Sequence, residues 1–269
     1  MEHSELIKTR LRVLTWNVWW QYGPWQERYR AIEKIVGDVD ADLIGLQEVW
    51  SANGKNLAGM LAERFGYQHV YHALNFKDAV GFGNAILSRW PIERTEMREL
   101  PGVQGRDEKR LVLAVETRGP RGPVQFFCTH LNHLIHDSEI RQRQVATIAQ
   151  LVEAMGPRDY VPIICGDFNT VPTSDEIRML TGETIVPVAG RTFRDAWSEV
   201  GRGPGYTWDN KNPFAAQSLE PDKRIDYLFA GYPKDRGAGH IVKCELVGNV
   251  PVDGVWASDH FGLMAELRY

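Results

Sequence analysis

Short apolar runs, each closed by a polar residue, recur along the whole chain. The segment 11–18, LRVLTWNV, is rich in β-formers and predicts a strand that delivers Asn17 near its end. Tyr29, Ile32, Val36 and Val39 recur at helical spacing, so 26–39 reads as an amphipathic helix. Residues 42–47 then predict a strand that ends in Gln47-Glu48. Leu57, Met60, Leu61 and Phe65 mark a second helix, with Asn53 as its candidate cap. Strands are expected near 67–73, 84–89, 92–100, 110–117 and 124–129. A long helix follows, from a cap at Asp137 or Ser138 to about 155, with Val145, Ile148, Ala149, Val152 and Met155 on its apolar face. A buried strand at 161–165 and a short helix at 174–181 come next. The last third opens into loops at GRGPG (201–205) and NKNP (210–213), then returns to strands at 225–230, 240–247 and 261–268.

Many strands and few helices, without strict βαβ alternation, predict mixed sheets with helices outside. Strand signals continue from end to end without a compositional break, so residues 1–269 are expected to form one domain with its core at about 11–267. Apolar residues make up 43% of the chain, enough for a real core. The net charge of −4 argues against an extended basic groove for duplex nucleic acid, though not against a local basic pocket. Cys128, Cys165 and Cys244 are far apart in apolar, strand-like contexts, and read as reduced core residues. The first ten residues, MEHSELIKTR, lack the apolar stretch of a secretory signal. No apolar run approaches the roughly 18 residues that span a bilayer. A cytoplasmic setting without a membrane span is expected, and nothing in the sequence asks for an obligatory protein partner.

The stretch VPIICGDFNTVPTSDE (161–176) shows the chemistry of these strand ends most clearly. Residues two apart on a strand face the same way, so Asp167 and Asn169 share a side while Phe168 turns toward the core. Such a pair is either a reactive corner or an ordinary turn. Five further ends carry Asn17, Glu48, His130, Asp226 and the pair Asp259-His260. Gathered in one place, they would supply oxygen ligands and two histidines with no thiolate. That donor set suits a hard cation such as Mg²⁺, with Mn²⁺ as the alternative, better than zinc. Glu48 and Asp259 fit the ligand role, with Asn17 as a neutral ligand or water holder. Asp226 has a competing reading, a simple pair with Arg224. His3, His69, His72 and His240 read as surface or core residues.

The segments Thr15-Trp16-Asn17, Leu46-Gln47-Glu48, Thr129-His130-Leu131, Gly166-Asp167-Phe168-Asn169, Arg224-Ile225-Asp226-Tyr227 and Ser258-Asp259-His260 stand in a telling order. Together they resemble the endonuclease/exonuclease/phosphatase superfamily, which includes abasic-site endonucleases, neutral sphingomyelinases, inositol polyphosphate 5-phosphatases and deadenylases. The resemblance covers about residues 11–267. It implies a DNase I-like α/β fold: a four-layer sandwich of two packed, mixed, largely antiparallel β-sheets flanked by helices. It also implies that the strand ends meet in one cleft. By the same resemblance Glu48 is the main Mg²⁺ ligand, with Asn17 and Asp259 adjoining. Asp167 orients or deprotonates the attacking water, and Asn169 holds that water or a phosphoryl oxygen. His130 donates to a non-bridging oxygen. His260, polarised by Asp226, contacts the phosphate or assists proton transfer. Either Asp167 or His260 serves as the base. Gln47 braces Glu48, and the amide of Asn84 supports the site or forms a plain turn.

Substrate selection is expected from the residues around these ends. Trp19, Trp20 and Trp25 follow closely on Asn17, and either overhang the cleft to stack on a base or sugar or pack into the core. Trp16 reads as core. His133 and His136 either line the cleft or belong to a solvated loop. Arg141 and Arg143, near the start of the long helix, fit a phosphate contact or surface salt bridges. Lys109-Arg110 fits a phosphate contact or a hairpin-edge pair. The expected activity is a metal-dependent phosphoesterase, foremost a phosphodiesterase on a small-molecule, sugar- or lipid-phosphate ester. A nuclease acting on DNA or RNA is the alternative, with a nucleotide or single-stranded nucleic acid as partner. A non-catalytic binding module on the same fold would have lost some of these residues, and all are present.

Overall fold

Two helical crossovers organise the chain. Strand β1 (Arg10–Asn17) runs parallel to β2 (Leu43–Ala52), and α1 (Trp25–Val39) connects them. Strand β8 (Gly122–His130) runs parallel to β9 (Ile163–Asp167), and α3 (Ser138–Met155) connects those. A parallel pair needs a long connection, and an amphipathic helix supplies one that also covers the sheet. All other neighbouring strands are antiparallel. The computed structural model describes residues 5–269, so His3 and the start of the N-terminal segment lie outside it.

Around each parallel pair a sheet is built. The first has seven strands: β12 (Ile241–Val247), β13 (Gly262–Arg268), β1, β2, β5 (Val80–Ser88) and β4 (Gln68–Lys77) in order, with β3 (Lys55–Asn56) beside β2. The second has six, in the order β10 (Phe193–Asp195), β11 (Asp226–Gly231), β9, β8, β7 (Arg110–Gly119) and β6 (Ile92–Leu100).

Strand periodicity assigns the faces. In β1, Leu11 and Val13 point between the sheets, where they join Leu113, Phe126, Ile163 and Cys165. Leu14 and Trp16 point outward, under Ile32 and Val36 of α1 and Leu61 of α2 (Leu57–Phe65). The second sheet is covered likewise by Val145, Ile148, Val152 and Met155 of α3 and by Ile177 and Leu180 of α4 (Asp175–Thr181). The result is helix, sheet, sheet, helix: the expected DNase I-like sandwich. At Gly45 the sheets approach so closely that a Cβ would collide with Cys165 Sγ.

The structure departs from the sequence expectations in three places. Strand β2 continues past Glu48 because a bulge between Leu46 and Val49 absorbs the turn of the chain. Helix α2 is capped by Asn56, whose Oδ1 accepts from Gly59 N at 2.7 Å, whereas Asn53 takes a left-handed φ of 53° in the turn before it. The last third carries β10 and two further helices, α5 (Ala196–Val200) and α6 (Pro213–Ala216). None of these three exceeds five residues, too short for a period to register. No described helix is long and apolar enough to cross a membrane.

Candidate active site

Strand register brings the site together. In the second sheet, His130 of β8 pairs with Asp167 of β9, and Asp167 pairs with Asp226 of β11, so three chemical residues stand side by side. In the first sheet, Asn17 at the end of β1 lies beside Gln47 of β2. Both parallel pairs open their C-terminal ends at the same mouth, the place where α/β sheets commonly bind ligands. Gly166 makes the close approach of β8 and β9 feasible. Its φ is +150°, and a Cβ there would run into Thr129 O.

The hub is Asp167. Its Oδ2 accepts from Asn17 Nδ2 at 3.0 Å and lies 3.4 Å from His130 Nε2 and 3.8 Å from His260 Nε2. Its Oδ1 accepts from Asn169 N at 2.9 Å, with Asn169 at a left-handed φ of 51°. The GDFN segment is therefore both a turn and part of the site. Asn169 Nδ2 donates to Leu131 O at 3.1 Å, tying the turn to the His130 loop. Phe168 is fully buried under Tyr227 and Phe229. Burial, reinforced by the charge of Asp226, pushes Asp167 up to about 6, against the opposing pull of His260.

The two histidines differ in charge. Burial works against the charged form of His260, but Asp226, Asp167 and Asp259 outweigh it and carry its pKa up to about 10. His260 Nδ1 bonds to Asp226 Oδ2 at 2.9 Å, which leaves Nε2 facing the cleft. Arg224 does not compete for Asp226, because it pairs with Asp195 at 2.8 Å. Burial drives His130 well below its ordinary pKa, and the charges of Arg110 and His260 add to that. His130 is thus neutral. Its buried Nδ1 has no partner among the described residues, so Nε2 carries the proton and points to Asp167.

Glu48 and Asp259 supply the second carboxylate group. The β-bulge sets Glu48 at a left-handed φ of 56°, and Asn17 Nδ2 reaches its Oε1 at 3.1 Å. Gln47 faces the other way, between the sheets, where it donates to Thr15 Oγ1 at 3.2 Å. Burial, and then the charge of Glu48, raise Asp259 to about 7 despite His260 and Arg28. Both carboxylates line the cleft, near enough for the charge of Glu48 to act on Asp259, and their oxygens fit a hard divalent ion, which would relieve that repulsion. The Asn17 amide lies instead between Glu48 and Asp167, with its nitrogen toward both and its Oδ1 accepting from Trp19 N at 3.0 Å. Asp167, Asp226 and His260 also place ligand atoms within 4.8 Å of one another.

The cleft encloses about 490 Å³. Trp19 and Trp20 line it, as does His133, which pairs with Glu108 at 2.9 Å. Trp25 packs on Trp50 instead, with centroids 5.4 Å apart, and Trp16 is core, donating to His260 O at 2.9 Å. Asn84 is not a cleft residue. It is buried in β5, donates to Leu111 O at 3.3 Å, and lines a small void behind His130. Arg143 is not brought to the cleft either; it is exposed on α3. Tyr22, from the same aromatic run as Trp19 and Trp20, also lines it; sequence reasoning overlooked Phe82, Trp208 and Lys223, which complete the walls from a hairpin and loops. It also overlooked Arg28, fully buried beneath the Trp19–Tyr22 loop. Its guanidinium donates to the carbonyls of Tyr22, Val18, Ala257, Trp19 and Trp20 at 2.8–3.0 Å. No local pattern marks an arginine whose partners are loop carbonyls.

Comparison with known proteins follows the same lines. A profile described as the Endonuclease/Exonuclease/phosphatase family matches residues 14–260. The fold is similar to that of D. rerio TDP2, seen in complex with single strand DNA product. The TM-score is 0.77 at 21% identity, covering 97% of this chain and 100% of that one. Truncated Caenorhabditis elegans TDP2 gives a TM-score of 0.76 at 22% identity, covering 98% and 99%. An endonuclease/exonuclease/phosphatase from Beutenbergia cavernae gives 0.75 at 23% identity, covering 97% and 72%. At these identities the likeness is one of fold. No curated protein matches the sequence significantly.

Proposed function

Because the chain belongs to the endonuclease/exonuclease/phosphatase family, and is a metal-dependent phosphoesterase by that membership, we propose that it is a Mg²⁺-dependent phosphodiesterase acting on a small phosphate ester. The observation that carries this reading is the surrounding of Asp167 Oδ2 by Asn17, His130 and His260, with Asp226 behind. Glu48 and Asp259 would hold the ion, and Asn17 would tie Glu48 to Asp167 through its Nδ2. The alternative trio of Asp167, Asp226 and His260 would need a lone pair from a His260 that is protonated at neutral pH. When bound, the ion offsets negative charge on the phosphoryl oxygens.

The residues divide the remaining work by charge. Asp167, at about 6, is ionised at neutral pH yet basic enough to take a proton from water. His260, at about 10, is already protonated and so serves as donor rather than base. Neutral His130 donates from Nε2 to a non-bridging oxygen. Water attacks phosphorus and passes a proton to Asp167. The bond to the leaving oxygen breaks, and the alkoxide takes a proton from His260. Diester and water become monoester and alcohol.

A small substrate is supported by the cleft's charge. Its lining holds five carboxylates (Glu48, Glu108, Asp167, Glu220, Asp259) against four cations, Lys77, Arg110, Lys223 and protonated His260. Arg110 and Lys223 are themselves paired, with Glu108 and Glu220. A long polyanion finds little to bind there. A nuclease on single strands is the second reading, favoured by the aromatic walls and by the DNA product bound to D. rerio TDP2. A cytoplasmic location is in keeping with Cys128 and Cys165, adjacent across β8 and β9 and both free thiols.

The test is hydrolysis of bis-p-nitrophenyl phosphate with Mg²⁺, Mn²⁺ or EDTA. Ion-dependent p-nitrophenol release is expected, slower with the monoester. Failure on every diester, with or without ion, would end the proposal. Preference for single-stranded oligonucleotides would select the second reading.

A further inference from the structure

Thr207 belongs to no strand and no helix, yet it is fully buried behind the Asp226–His260 pair. Its Oγ1 accepts from two successive amides, Ile225 N at 3.1 Å and Asp226 N at 3.2 Å. Its carbonyl accepts from Phe261 N at 2.7 Å. One residue thus grips the chain at Asp226 and again next to His260. The following residue adds a third contact: the Trp208 ring stands edge-on to the His260 ring, with centroids 4.9 Å apart.

The grip falls where the sheet gives none. Strand β10 pairs with β11 only over Phe229–Gly231, so it stops short of Asp226. Asp226 is fully buried, and among the described residues its carboxylate accepts one hydrogen bond, at Oδ2 from His260 Nδ1. Its Oδ1 has no partner there. With so few side-chain contacts, the backbone decides where that carboxylate stands. Unmet buried amides cost free energy, so a hydroxyl that meets two of them holds the chain firmly. The clamp is itself anchored. Thr207 N and Trp208 N both donate to Lys223 O, at 3.1 and 3.0 Å, and Lys223 N donates to Trp208 O at 2.8 Å. Gly205, at a φ of +69°, lies so close to the Trp197 indole that a Cβ would collide with it.

We propose that Thr207 is a positioning residue for the reaction: its hydroxyl fixes Asp226, Asp226 fixes the His260 ring, and the ring thereby aims its Nε2 proton at the leaving oxygen. Thr207 itself does not line the cleft. This rests on the phosphoesterase reading of the site and on His260 as the proton donor. A donor works only within hydrogen-bond reach of its target, so a small displacement of the ring is costly.

Two diesters separate this role from simple scaffolding. The p-nitrophenolate of bis-p-nitrophenyl phosphate is a stable anion and leaves with less help than the phenolate of diphenyl phosphate. The full chain and its Thr207→Val, Thr207→Ser and His260→Gln variants are assayed on both esters at saturating Mg²⁺. Thr207→Val keeps the shape of the side chain but offers the two amides no acceptor. It is expected to lower kcat about 100-fold on diphenyl phosphate and about tenfold on bis-p-nitrophenyl phosphate, with KM within about twofold on each. Thr207→Ser keeps the acceptor and stays within about threefold of wild type on both. His260→Gln widens the gap between the esters at least as far as Thr207→Val. Equal losses of Thr207→Val on the two esters overturn the proposal. So does a loss carried by KM, and so does a serine variant as impaired as the valine one. If Thr207→Val does not fold, Thr207→Ala, which leaves space for a water at the two amides, is read on the same esters, and a gap unchanged from wild type overturns the proposal. A wild type inert toward both esters defeats the phosphoesterase reading itself. An unchanged gap in His260→Gln defeats the donor assignment and this proposal with it; an unchanged gap in Thr207→Val alone defeats only this proposal.

Discussion

On one side of Asp167 stands His260, on the other His130, and the two sides are built to opposite ends. Each imidazole presents Nε2 to the same carboxylate oxygen, and each has an aromatic neighbour: Trp208 at 4.9 Å from His260, Phe82 at 6.1 Å from His130. Behind His260 is a buried carboxylate, Asp226. Behind His130 there is no partner for Nδ1 among the described residues, and the charge that acts on it most is a cation, Arg110. Burial acts against the charged form of both rings, so it is the neighbouring charges that make their ionisation differ. On the proposed mechanism, one site thereby holds a proton donor that stays charged at neutral pH and a neutral donor that never competes for the base's proton. Two identical side chains a few ångströms apart take different jobs because of what the next strand places behind them.

The most direct way to break this comparison is to remove what both sides address. Asp167→Asn should lower kcat by about 10³–10⁴-fold, the upper range for acid–base help, while the far-UV spectrum stays unchanged. A melt no lower than wild type is expected too, because the substitution relieves a buried negative charge beside Asp226. Measured on bis-p-nitrophenyl phosphate with Mg²⁺, a loss under tenfold would remove Asp167 from the base role.

The sides can then be separated by pH. The wild-type profile of kcat/KM should rise through about pH 6, as Asp167 loses its proton. It should fall near pH 10, as His260 loses its own. Asp226→Asn withdraws the charge that raises His260. The alkaline limb should move down toward neutral while the acid limb moves little, or slightly lower, since Asp226 also raises Asp167. The rate at pH 8 should drop roughly 100-fold. An alkaline limb unmoved in Asp226→Asn would mean that His260 is not the donor.

A smaller effect is expected at the rim. Arg28→Met strips five carbonyls of their donor under the Trp19–Tyr22 loop, where Trp19 and Trp20 hold left-handed φ values of 56° and 37°. The protein should lose about 2–4 kcal/mol of stability by denaturant titration. KM should rise several-fold with kcat little changed. A kcat that falls with KM constant would instead connect Arg28 to the chemistry, through Asp259.

What could be read from the sequence follows the same division. Asn17, Glu48, His130, Asp167 and Asp226 sit at strand ends, where an apolar run stops at a polar residue. Strand register then carries them together without further information. The helices of both crossovers and the four layers were legible for the same reason: burial writes a period into the chain. The walls were legible only in part. Trp19, Trp20, Tyr22 and His133 follow closely on Asn17 and His130 and line the cleft, whereas Phe82, Trp208 and Lys223 come from a hairpin and loops, where placement depends on tertiary partners. Glu108 and Arg28 are charged residues whose burial is balanced by groups distant in sequence or held in loops. Composition gives such residues no mark.

Helix α3 supplies the weakest and cleanest test of that division. Arg141 and Arg143 are two positions apart, so about 200° of rotation separates them on the helix. Arg141 turns inward, pairs with Glu176 at 2.8 Å and donates to the carbonyls of Asn132, Leu134 and Ile135. It thereby holds the loop that carries Asn132 and His133. Arg143 turns outward to solvent. Identical side chains, both plausible phosphate contacts in the sequence, are assigned opposite roles by the 3.6-residue period alone. Arg143→Ala should therefore leave kcat/KM within about twofold and stability within about 0.5 kcal/mol. A tenfold rise in KM would place its guanidinium in reach of the substrate after all, and would require the α3 end of the cleft to close on the ligand.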